Sequence, residues 1–155
     1  MDALYLDLHK NPELSSREQK TVAKMAEELK RLGYEVTTGV GGTGAVGVLK
    51  NGKGPTVLVR TELDALPVEE KTGLPYASKA TATDPSGKTV PVVHACGHDV
   101  HMASWTGAAA LLARGKDRWR GTAFLGTPAR RPEPTLPSRP TGPASAGDGL
   151  RRSSR

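Results

Sequence analysis

The stretch from Val90 to Gly115, VPVVHACGHDVHMASWTGAAALLARG, constrains the fold more than any other. It is β-rich and apolar through Ala95, and the glycine at 97 permits a sharp change of direction. Beyond it Met102, Trp105, Ala109 and Leu112 recur at helical spacing on one side, with Gly115 as a natural stop. A strand is therefore expected over 90–95 and a helix over 99–115. A strand that hands over directly to an apolar-faced helix needs a sheet to pack against, so the arrangement points to a layered α/β domain.

The rest of the chain fits that class. NPELSSREQKTVAKMAEELKRLG predicts a helix: Ser15 and Glu18 have capping-box spacing, Val22, Met25, Ala26, Leu29 and Leu32 share a face, and Gly33 ends it. Strands are expected over 34–38, 45–50, 56–63 and 120–126. GVGGTG (39–44) lacks the Lys-Ser/Thr of a phosphate-binding loop and no apolar helix follows it, so it reads as a turn. Asn51-Gly52 between two β-rich runs predicts a hairpin that pairs 45–50 with 56–63. The second of these runs is apolar enough for a central strand. Residues 64–90 form a long Pro/Gly/Thr-punctuated connection, and connections of that length tend to carry function.

Composition excludes several classes. No stretch approaches the ~18 apolar residues of a membrane span, and MDALYLDLHK has no signal-peptide pattern. The single cysteine, Cys96, cannot form an intramolecular disulfide and suits a reducing cytoplasm. The net charge of +6 does not mark a nucleic-acid binder, because residues 130–155 carry six arginines against two acids. The basicity sits in a Pro/Arg-rich tail that has little to bury and is expected to be disordered.

Two segments carry chemistry. In HACGHDVH (94–101), Cys96 and His98 stand where the strand gives way to the helix, a position that favours a thiolate. Asp99 can interact with the helix start or hold a ligand histidine, and His101 can share a helix face with His98. This set suits a divalent metal, or a cysteine nucleophile with a histidine base. In RTELDALP (60–67), Glu62 and Asp64 alternate at a strand's C-terminal end, where α/β sheets place their ligands.

LH-x-x-PELS (8–15), R-x-x-x-DALP (60–67) and HACGHD-x-H (94–101), in this order, resemble the amidohydrolase branch of the metal-dependent aminoacylase/carboxypeptidase family, over roughly residues 4–129. That branch includes hippurate hydrolases, N-acyl-amino-acid amidohydrolases and indole-acetyl-amino-acid hydrolases. The resemblance implies part of a three-layer zinc-peptidase-like catalytic domain with a mixed sheet over 1–129. It implies two divalent metals per complete site (Zn, Mn, Co or Ni) and a small N-acyl amino acid as substrate. Cys96 and His98 would bind metal, Asp64 would be the catalytic acid residue that orients a ligand or the base, and Glu62, Asp99 and His101 would support them. Family members are often homo-oligomers through a lid/dimerisation domain that has no counterpart in this sequence.

The resemblance also implies a Glu-Glu pair soon after residue 120, where this chain has Arg130-Arg131-Pro132. Two GAG codons followed by ACC, read after loss of one G, give AGG-AGA-CC, which is Arg-Arg-Pro. Residues 130–155 are therefore expected to be out of frame, and the chain to be a fragment with little or no activity. The alternative is a non-catalytic metal-binding or interaction module.

Overall fold

The computed structural model describes residues 2–127; the expectations for residues 130–155 lie outside them. The elements run α1 (Asp2–Lys10), α2 (Gln19–Arg31), β1 (Glu35–Val40), β2 (Gly44–Asn51), β3 (Thr56–Arg60), β4 (Thr81–Thr83), β5 (Thr89–Pro91), α3 (His98–Arg114) and β6 (Gly121–Thr127). Strands β1, β2, β6 and β3 form one mixed sheet in that order, with β6 antiparallel to β2 and parallel to β3. β4 and β5 form a separate antiparallel pair. No helix among the described residues is long and apolar enough to cross a membrane.

The expected α/β class with a mixed sheet is what forms. All three helices pack on one sheet face, where Leu8, Met25, Leu29, Met102, Trp105 and Ala109 meet Leu49, Ala123 and Leu125 in one core. Burial of these side chains supplies the main driving force for the layer. The indole of Trp105 donates to the carbonyl of Val59 at 3.1 Å, which ties α3 to β3. The Tyr34 hydroxyl donates to the Ala109 carbonyl at 3.0 Å, and burial pushes its pKa up to about 12. On the other sheet face Val46, Val48 and Phe124 are half-buried and Leu58 is 67% exposed, so the described residues make two of the three expected layers.

Three local expectations are corrected. The turn at Asn51-Gly52 does not pair β2 with β3; β6 lies between them. The reason is the β3–α3–β6 crossover, which returns the chain parallel to β3 in the gap that a hairpin would close. The gap is held open by close backbone contact: Thr122 N–H donates to the Pro55 carbonyl at 3.0 Å. Consequently β3 is an edge strand among the described residues, with Val57 54% exposed, and not a central one. At the start of α2, Ser15 does not act as the cap. The Glu13 carboxylate takes the Thr21 N–H at 2.7 Å and the Lys20 N–H at 3.3 Å. Glu18 is turned inward instead and accepts from the Thr43 hydroxyl at 2.7 Å. Finally, helix α1 was not expected, because its nine residues show little apolar periodicity.

The sheet and its crossover meet at Gly121, whose φ is +131° and where a Cβ would lie 2.2 Å from the Pro55 carbonyl oxygen. Gly121→Ala is therefore expected to destabilise the fold by about 2–3 kcal/mol, readable as a lower urea midpoint with an unchanged slope. A midpoint equal to that of the parent chain contradicts this packing.

Candidate metal centre

Two backbone segments carry the site, and a single pair of backbone hydrogen bonds joins them. After β3 the chain runs through Thr61–Leu66, and before α3 it runs through Val92–Gly97. Leu66 and Val93 exchange backbone hydrogen bonds of 2.9 and 3.1 Å. Ala65 N–H donates to the Glu13 carbonyl at 2.8 Å, so the α1–α2 connection joins the same layer. Leu14, Ala65 and Val92 fill a small second core beneath it. Gly97 adopts φ +73° and turns the chain into α3, whose first residue is His98.

This pairing brings His98 against Glu62 and Asp64. The Nδ1 of His98 lies 2.7 Å from the Asp64 backbone carbonyl and 3.2 Å from the Asp64 Oδ1. A carbonyl oxygen only accepts, so Nδ1 carries a proton and donates it. In the neutral ring the other nitrogen, Nε2, then presents a lone pair, and it lies 3.1 Å from Glu62 Oε2. A lone pair facing a carboxylate is repulsive unless a proton or a cation sits between them. One donor atom from each of Glu62, Asp64 and His98 falls within 4.8 Å of the others, the geometry of a cation site. His98 and Asp64 are mostly buried, with 13% and 11% of their side chains exposed, while Glu62 is 45% exposed and also pairs with Arg60.

The remaining expected residues lie around this group. Cys96 is exposed and stands outside the three converging donors. His101 is exposed, and its ring centre is 6.0 Å from that of His98. Asp99 is buried and binds neither His98 nor His101: its Oδ2 lies 2.7 Å from Nδ1 of His9 on α1. The Nε2 of His9 faces the Glu70 carboxylate at 3.2 Å. Sequence reasoning missed His9 and Glu70. His9 lies within the quoted LH-x-x-PELS motif, which was the available signal; Glu70 sits in a charged stretch of loop that reads as solvated. His94 is also buried, and neither of its ring nitrogens has a hydrogen-bond partner among the described residues. Burial pushes its pKa below the ordinary value, against the pull of Asp99 and with the push of His98.

Residues 58–129 match the family model described as peptidase family M20/M25/M40. Over these residues the chain is similar to that peptidase family. Among relatives of the chain, thermostable carboxypeptidase 2 of Saccharolobus solfataricus is 45% identical over 120 residues, covering 76% of this chain and 28% of the relative. Hippurate hydrolase of Campylobacter jejuni is 45% identical over 107 residues, covering 68% of this chain and 26% of the relative. The crystal structure of the Bacillus subtilis YXEP protein, described as a dinuclear metal binding peptidase from the M20 family, superposes with a TM-score of 0.70 at 34% identity. That match covers 81% of this chain and 33% of the YXEP chain. The chain thus spans roughly a quarter to a third of the length of these relatives.

The His9 group gives the chain a defined response to pH. Burial opposes a charge on His9, but its hydrogen bonds to Asp99 and Glu70 outweigh that and raise its pKa above the ordinary 6.5. Burial likewise opposes the charge on Glu70, while hydrogen bonds from Thr72, Ser78 and His9 outweigh it and lower that pKa. The stabilisation from His9 is therefore fully present below 6.5 and is lost as pH rises through the raised value. His94 acts in the other direction: its cost grows as pH falls below 6.5. On raising the pH from about 6.5 to about 9, the melting temperature of the parent chain is expected to fall more than that of His9→Gln. Parallel melting curves for the two proteins across that range contradict the charge assignment.

Proposed function

We propose that this chain carries part of a two-metal amidohydrolase site that hydrolyses the amide bond of N-acyl amino acids. The observation that carries the reading is the convergence of Glu62, Asp64 and His98 within 4.8 Å, with the Nε2 lone pair of His98 turned toward a carboxylate. That donor set fits a divalent cation of the zinc, manganese, cobalt or nickel kind. The names of the relatives, a carboxypeptidase and a hippurate hydrolase, support the same bond and substrate class.

In this reading His98 holds metal with Glu62 and Asp64 on the facing segment, and Cys96, which lies outside these three donors, would join as a further ligand. A metal bound there supplies Lewis-acid polarisation of the amide carbonyl and a more acidic water. The protein's own part is orientation. The Asp64 carbonyl fixes the proton of His98 on Nδ1 and so keeps Nε2 free. The Asp64 carboxylate, 3.2 Å from the same nitrogen, steadies the ring. Glu62, half in solvent and neutralised in part by Arg60, leaves the donor group open to solvent on its side. The lone exposed thiol of Cys96 suits a reducing cytoplasm.

The reading extends to this chain's own rate. A glutamate that shuttles the proton contributes ~10²–10⁴-fold to such a reaction, and the position where the family resemblance implies it holds Arg130-Arg131. The chain by itself therefore binds metal but turns substrate over slowly. This gives weight to a second reading, a metal-binding module without catalysis, since the three converging donors do not depend on residues after 127.

Equilibrium dialysis against Zn²⁺ tests the site: the parent chain is expected to retain metal and His98→Ala to weaken it by more than about 100-fold. Equal retention by both removes the site from this face. Hydrolysis of N-acetyl amino acids by the purified chain at an ordinary rate, about 10 s⁻¹, contradicts the slow-turnover proposal. Retranslation of the coding DNA in the neighbouring frame is expected to restore Glu-Glu at positions 130–131 followed by a foldable sequence; a frame rich in stops ends the frameshift account.

A further inference from the structure

Two carboxylates on separate segments converge on one buried imidazole next to the metal face. His9 reaches Asp99 with Nδ1 at 2.7 Å and both carboxylate oxygens of Glu70 with Nε2 at 3.2 Å. Its side chain is 9% exposed, that of Asp99 3% and that of Glu70 2%. Each nitrogen faces an acceptor, so the ring holds a proton on both and acts as the single cation between two buried anions. Tyr5 and Tyr76 pack about it, with the Tyr76 ring edge-on at 5.4 Å.

The two carboxylates belong to the two halves of the candidate site. Asp99 follows His98 directly in the first turn of α3. Gly97, at the cap position, offers no side chain to the free amides there; instead Asp99 Oδ1 accepts the Val100 N–H at 2.9 Å while Oδ2 holds His9. Glu70 organises the loop that leaves Asp64: it accepts from the Thr72 hydroxyl at 2.6 Å and from the Ser78 N–H. His9 therefore clamps the His98 side of the site to the Asp64 side, from an element that bears none of the converging donors. Without its charge, two buried anions face each other. They relieve the repulsion by moving apart or by taking up a proton, and either change shifts α3 relative to the loop.

We propose that His9 is a positioning residue for the metal face, setting the spacing between His98 and the Glu62/Asp64 segment through Asp99 and Glu70. The proposal rests on the reading of Glu62, Asp64 and His98 as a cation site. It assigns a task to the LH-x-x-PELS motif, which the donor set itself does not use.

Cobalt(II) titration of the full chain, followed by the visible absorption of the bound ion, separates this role from a general one in folding. His9→Gln is expected to weaken Co²⁺ binding by about 10-fold or more and to alter the band shape. Met25→Ala removes a fully buried core side chain away from the clamp; at comparable loss of melting temperature it is expected to leave both affinity and band shape unchanged. The double variant His9→Gln/Glu70→Gln, which relieves the anionic repulsion, is expected to recover part of the lost affinity. Should His9→Gln not fold, Glu70→Gln alone carries the test, with an expected loss of about 5-fold or more. Parent-like binding by whichever of these two single variants is tested, or an equal loss in Met25→Ala, overturns the proposal and leaves the metal site standing. Absence of Co²⁺ binding by the parent chain overturns both.

Discussion

The two hydrogen bonds exchanged between Leu66 and Val93 are the constraint on which the site depends. They pair the segment leaving β3 with the segment entering α3, far apart in sequence and outside the main sheet. Each segment alone is ordinary: one is a strand end with alternating carboxylates, the other a glycine turn into a helix. Paired, they place the first residue of α3 opposite Asp64, whose carbonyl then fixes the tautomer of His98. The small core of Leu14, Ala65 and Val92 keeps this layer dry beneath, and the main core anchors α3 above it.

Charge organises the same region. His98 opens α3 and His9 binds Asp99 beside it, and each imidazole faces carboxylates. His9 is enclosed, and its two nitrogens are both matched, so a proton balances that cluster. His98 donates from Nδ1 to the Asp64 carbonyl, and its Nε2 faces half-exposed Glu62 at 3.1 Å, where a cation from solution can enter. Burial decides which positive charge is suitable: a proton where there is no access, a metal where there is. His94 is buried with no hydrogen-bond partner for its ring among the described residues, and burial holds its pKa below the ordinary value.

Much of this was legible in the sequence, for reasons that the structure makes clear. Helix α3 matched its reading because Met102, Trp105 and Ala109 face the core as their spacing requires, and Gly115 closes it. The face of α2 was equally plain through Met25, Ala26 and Leu29. What failed was pairing. Asn51-Gly52 is a local signal, and a local signal cannot report that β6, some seventy residues later, enters between β2 and β3. The cap of α2 failed for a similar reason: Glu13 reaches past Ser15 because the preceding turn folds back on the helix. At the site, Glu62, Asp64 and His98 were all visible as candidates, since chemistry-bearing residues at strand ends stand out. His9 and Glu70 did not, because their roles exist only through contacts at separations of 90 and 61 residues.

The central claim is that His98 carries its proton on Nδ1 and offers Nε2 to a divalent cation beside Glu62 and Asp64. Long-range ¹⁵N–¹H spectra of the histidine rings, recorded during Zn²⁺ addition, test it directly. The account predicts an Nδ1–H tautomer for His98 and a metal-dependent shift of its Nε2, with His9 protonated on both nitrogens and unmoved. A shift confined to His101 or His9, with Nε2 of His98 unchanged, would contradict it.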